Sequence, residues 1–144
     1  MHLLFRLVLL AAAVLPAAAA AATLQPGLYE ISLQLVMRGT PLQLPARMLH
    51  ACLTPREIVN GSAYAVSETG QFCTVSRLQQ VGEQVNFHFV CATAGGGRMV
   101  GQAHGTHVAT GYDILMSGRY VPAMQGMSEF TQKIRASRIG GCTP

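Results

Sequence analysis

Cys73 and Cys91 stand near the outer ends of residues 72–92, FCTVSRLQQVGEQVNFHFVCA, and that stretch admits few folds. Two strand-like runs flank a Val81-Gly82-Glu83-Gln84 turn. In the second run Val85, Phe87, Phe89 and Cys91 alternate with Gln84, Asn86 and His88, the period of a half-buried strand. A hairpin that sets Cys73 opposite Cys91 also sets Val75 opposite Phe89 on the same apolar face. Core and crosslink then demand one register. A two-residue Gly82-Glu83 turn would displace that register by one, so the hairpin calls for a three-residue loop or a β-bulge.

The start of the chain is a targeting segment rather than fold. Residues 1–6 carry Arg6, residues 7–15 are apolar, and Pro16 leads into the alanines of residues 17–22. This is the layout of a secretory signal, and cleavage after Ala20 or Ala22 satisfies the small-x-small rule. The apolar run falls short of the roughly 20 residues a membrane span needs. Expected are a signal peptide over 1–22, one domain over 23–144, no stable membrane span after cleavage, and a periplasmic or secreted location in a Gram-negative envelope. Without Arg6, nine basic residues face six acidic ones, 9 − 6 = +3. The basic residues are scattered and lack interleaved aromatics, which argues against nucleic-acid binding.

All four cysteines fall in the mature part, an even number in an exported chain, which reads as two disulfides. Of the three pairings, Cys73–Cys91 with Cys52–Cys142 closes the hairpin and ties the end of an early strand to the C-terminus. Zinc is the rival use, but no CxxC spacing supports it.

In chain order, residues 28–37 form a first strand whose phase Tyr29, Ile31, Leu33, Leu35, Met37 is wholly apolar. Residues 46–53 return as a second strand. Thr54-Pro55-Arg56-Glu57 is a capping box with proline at the first helical position, predicting a short helix over Pro55–Asn60 ended by Gly61. Residues 62–71 read as a polar connection into the hairpin. Residues 98–109, 112–121 and 128–139 are three further strands, with residues 110–111 and 122–126 between them. Gly101, Gly105 and Gly118 inside these strands predict bulges or sharp coiling. The fold class is mainly β: a single-domain curved antiparallel meander of about seven strands, an open barrel or strongly twisted sheet, with one short helix.

The chain resembles the bacterial envelope family catalogued as domain of unknown function 3617. The resemblance is carried by Pro26-Gly27-Leu28-Tyr29-Glu30, Cys52-Leu53-Thr54-Pro55, the Cys73/Cys91 hairpin, the glycine-spaced strands, and Arg138-Ile139-Gly140-Gly141-Cys142. It spans nearly the whole mature chain. The family often carries tryptophan where Tyr29 stands and an acidic residue where Arg56 stands, and its Met-Pro-rich segment is reduced here to residues 37–45. The resemblance implies export, a β-rich domain and disulfides. It implies no reaction.

No catalytic constellation emerges from the residues. Glu57 is committed to the cap, Glu83 to a turn, the cysteines to disulfides, and no G-x-S-x-G elbow exists. His104 and His107 are three apart, so on a regular strand they face opposite ways and cannot jointly grip an ion without a bulge at Gly105. Met124 and Met127 form an MxxM, and thioethers suit Cu(I). The expected role is therefore a non-catalytic binding or interaction module of the cell envelope with no cofactor. Its contact surface is expected at Tyr112, Met116, Tyr120, Met124 and Met127, offered to an apolar small molecule or an envelope protein. The alternative is copper handling through Met124, Met127 and the histidines His104 and His107.

Overall fold

A computed structural model of the chain describes residues 22–38, 44–124 and 127–143. The signal peptide expected over 1–22 lies outside them except for its last residue. Seven strands form one antiparallel sheet: β1 (Gly27–Met37), β2 (Arg47–Leu53), β3 (Thr74–Val81), β4 (Gln84–Ala92), β5 (Arg98–Val108), β6 (Gly111–Met124) and β7 (Met127–Gly140). Their order is β2-β1-β7-β6-β5-β4-β3, so β3 to β7 run as a meander and the β1–β2 hairpin joins at β7. The sheet is open, with β2 and β3 at its two edges. The described helical elements are α1 (Pro55–Asn60) and a single 3-10 turn, Ser62–Tyr64.

The hairpin register resolves by a bulge. Near the turn Val81 pairs with Gln84, leaving Gly82-Glu83 as a two-residue loop. Further out Val75 pairs with Phe89, and the register shifts between Ser76 and Gln79. Arg77 takes φ 53 there, the left-handed region that side chains usually avoid. The extra residue brings Cys73 to 4.5 Å (Cα–Cα) from Cys91 and joins them in a buried disulfide. It also turns Val75 and Leu78, three apart, onto the same side, where both line the backbone of Gly61. The second disulfide joins Cys52 to Cys142, Cα–Cα 5.6 Å, on the exposed side of β2. Both expected pairings are present.

Curvature comes from glycine. Gly101 pairs with Gly118, and these two separate Phe89 on β4 from Phe130 on β7. Three strand spacings in a flat sheet would hold those residues about 14 Å apart. Their rings instead meet at 6.2 Å, edge to face. A Cβ on Gly101 would run into the Ser117 carbonyl oxygen, one on Gly105 into that of Asp113, and one on Gly118 into that of Val100. Pairing on both sides of β5 stays in register through Gly101 and Gly105, so the sheet coils there without a bulge.

Because β2 and β3 lie on opposite edges, the chain between them must traverse the sheet. It does so over the concave face. Thr54 caps α1, its amide donating to Glu57 Oε2 at 3.0 Å, and Ile58 tucks its side chain into the core. Gly61 ends the helix at φ 81, its amide donating to the Ile58 carbonyl at 3.2 Å. Residues 62–67 then cross the sheet as a strap, every one of them buried. The expectation of a polar connection over residues 62–71 is corrected on this point. The strap carries Ala63-Tyr64-Ala65-Val66 into the centre of the core, and Phe72 returns to pair with Val66 in an isolated bridge.

Replacing Gly105 by valine should destabilise the protein by about 2–3 kcal/mol through overpacking against the Asp113 backbone. Gly140→Ala, where a Cβ meets nothing within 4 Å, should change stability by less than about 0.5 kcal/mol. Urea unfolding of both variants beside the parent checks the pair. Equal midpoints for Gly105→Val and the parent would contradict the close strand approach.

Candidate functional site

The strap determines which faces remain available. Tyr64 sits at its centre, against Phe87 of β4 and edge-on to His107 of β5 and Tyr112 of β6, with centroids 6.3, 5.7 and 5.3 Å away. Buried irregular backbone must find partners, and sheet side chains supply them. The Tyr112 hydroxyl donates to the Ala63 carbonyl at 2.7 Å and Gln132 Nε2 to the Val66 carbonyl at 3.5 Å. The Cys73 amide donates to the Ala65 carbonyl at 2.9 Å. The Tyr64 hydroxyl lies 2.9 Å from His107 Nδ1 and accepts from Gln80 Nε2 at 3.2 Å. Beyond the buried part, the Tyr120 hydroxyl donates to Glu68 Oε1 at 3.2 Å.

This arrangement corrects the expected contact surface. Tyr112, Met116 and Tyr120 do share one face of β6, as their alternation requires, but they are 5%, 0% and 4% exposed. The strap covers that face. Met124 is exposed at the end of β6, and the side chain of Met127 lies outside the described residues. His107 is buried and His104 exposed on the opposite face of an unbulged β5, so the structure does not bring them together. Among the described residues no cluster of three or more His, Cys, Asp or Glu could hold a metal ion.

What remains open is the lip of the cup. Between β1, the start of β2 and the strap lies a pocket of about 410 Å³. Leu33 and Leu35 from β1 and Leu44 and Pro45 before β2 provide apolar walls, Arg47 and Glu68 stand with them, and Gln132 of β7 completes the lining. Gln132 is 0% exposed, and its carbonyl oxygen Oε1 has no hydrogen-bond partner among the described residues. A buried acceptor left unpaired costs about 1–3 kcal/mol. Every other inward residue of its cross-sheet row, Phe87, Ala103, Met116 and Leu35, is apolar. Sequence reasoning passed over Gln132. Its signal was a lone amide in the inward phase Phe130, Gln132, Ile134, Ala136.

A second, shallower trough of about 600 Å³ crosses the outer face over the Gly101–Gly118 pair, with Arg38, Arg119, Glu129 and His88 around it. Arg38 and Glu129 pair there at 3.1 Å, both exposed.

The protein-family model described as "Protein of unknown function (DUF3617)" matches residues 24–142. The chain belongs to this family. No curated protein and no solved structure matches it. The DUF3617 match begins at Leu24, itself buried in the core, and ends at Cys142 of the second disulfide, so it encloses the whole described sheet and strap. Among the described residues of this DUF3617 protein, no helix is long and apolar enough to cross a membrane.

Burial gives the four tyrosines a shared pH response. Desolvation pushes the Tyr64 phenol up to about 12 from 10.0 and raises Tyr112 and Tyr120 further, with Glu68 adding to the rise at Tyr120. Tyr29 is raised too, by burial working against the nearby Arg138. The folded state holds these protons more tightly than the unfolded chain does. Their contribution is therefore fully present below about pH 10 and is lost as pH rises through about 12. Absorbance titration should show phenol ionisation coinciding with loss of near-ultraviolet circular dichroism. Free ionisation of two or more tyrosines near pH 10 in the folded protein would contradict the buried strap.

Proposed function

We propose that this protein is an exported, non-catalytic binding module of the bacterial cell envelope that takes an apolar small molecule into the pocket at the lip of its sheet. One observation carries the assignment: three leucines and a proline line a recess of about 410 Å³ that the core leaves open. Ligand pockets commonly fall at roughly 300–1,000 Å³ with mostly apolar linings and a few placed polar groups. Export is supported by the signal-like residues 1–22 and by two formed disulfides, which persist in oxidising compartments.

A non-catalytic role is supported by the use of the acidic residues. Of the six, Glu57 caps α1, Glu68 holds Tyr120, Glu30 pairs with His50, Asp113 with Arg135 and Glu129 with Arg38. None of these five is presented as a free base beside a nucleophile. The copper alternative has no comparable support, because its histidines fall on opposite faces.

Leu44 lies at the rim and is 39% exposed, so it can be changed without opening the core. An uncharged apolar fluorescent probe should bind the oxidised mature protein at one site. Leu44→Glu should weaken that binding at least tenfold while leaving the unfolding midpoint unchanged. Absence of probe binding to the parent, or undiminished binding to the variant, would remove this pocket as the functional site.

A further inference from the structure

We infer that the lip pocket selects a ligand whose apolar body ends in a hydrogen-bond donor, a hydroxyl or an amine, which reaches down to Gln132 Oε1. The inference rests on the binding role proposed above and adds the chemistry of the head group. Gln132 has two polar ends with different fates. Nε2 donates to the strap at the Val66 carbonyl, and Oε1, on the same buried carboxamide, meets no donor. A side chain needed only to hold the strap would use its donor alone, and the rest of its row shows that the position otherwise calls for an apolar residue. The unused acceptor belongs to a residue that lines the pocket.

The surroundings set the sign of the head group. Glu68 lines the same pocket, one of its oxygens already accepting from Tyr120. An anionic head beside Gln132 would face a carbonyl oxygen and a carboxylate together. A donor satisfies the first and tolerates the second. Arg47, the cation of the pocket, stands in the lining contributed by residues 44–47, and exposed. Leu33 and Leu35 of β1 with Leu44 supply contact for an alkyl body. Sites built to hydrogen-bond a ligand donor reject analogues lacking it far more strongly than hydrophobic contact alone discriminates.

The test uses the oxidised mature protein and three probes of equal chain length: octanol, octyl methyl ether and octanoate. Displacement of the fluorescent probe should rank octanol at least tenfold tighter than the ether, which cannot donate, and tighter than octanoate. In Gln132→Met, which keeps the side-chain length and removes the amide, octanol and the ether should bind within twofold of each other. Should that variant fail to fold, the ranking on the parent protein decides alone. Equal binding of octanol and ether to the parent would leave the pocket standing and overturn the donor rule. Tighter octanoate binding would overturn it in favour of anion selection by Arg47. If none of the three displaces the probe, both the donor rule and the small-molecule role fall.

Discussion

Burial of residues 62–67 against the concave face of the sheet is the constraint on which the rest of the molecule depends. A seven-stranded open sheet with one apolar face needs a second layer, and this chain has only a six-residue helix and a 3-10 turn to provide it. The strap solves the problem with irregular chain, which is normally confined to surfaces because its amides and carbonyls need partners. Tyr112, Gln132 and the Cys73 amide give the carbonyls of Ala63, Val66 and Ala65 those partners. Tyr64 then fills the middle of the cup with an aromatic ring touching three strands. Hydrogen bonding and apolar burial act here on the same six residues.

The strap in turn requires the curl. Phe89 and Phe130 meet over a pair of glycines, and the coil they mark draws β4 and β7 inward around a short crossing segment. The Arg77 bulge serves the opposite edge by turning Val75 and Leu78 together towards Gly61. The buried Cys73–Cys91 bridge fixes the end of the strap that enters β3, and Cys52–Cys142 fixes the edge at β2 from the outer side. A short connection spanning a whole sheet is thereby held at both ends. What the strap cannot cover, beside β1 and the start of β2, remains as the pocket with Gln132 in its lining.

Local periodicity made the strands, the capped helix and the hairpin conflict legible, because each depends on residues near one another in sequence. The bulge followed from requiring Cys73, Val75, Cys91 and Phe89 to share a face, and the structure places it at Arg77. The two disulfides followed from the same geometry together with the order of the strands. The strap was not legible. Its Ala63-Tyr64-Ala65-Val66 is too short for a periodicity signal and is flanked by serine, threonine and glycine. Its burial is decided by β2 and β3 standing on opposite edges, a long-range fact. The same omission misplaced the contact surface: Tyr112, Met116 and Tyr120 show the pattern of an adaptable apolar face, and only the strap converts them to core. Gln132 escaped because its meaning lies in the missing partner of one oxygen.

Native-state amide hydrogen exchange on the oxidised mature protein tests the central claim most directly. The amides of Tyr64, Ala65 and Cys73 donate to the carbonyls of Gly61, Ser62 and Ala65 in the buried crossing. They should exchange only through the same global opening as the inner strands β5 and β6, with protection approaching the full stability of the domain. Rapid exchange at these three amides, while β5 and β6 remain protected, would show that the strap is a loosely attached loop and would contradict the account.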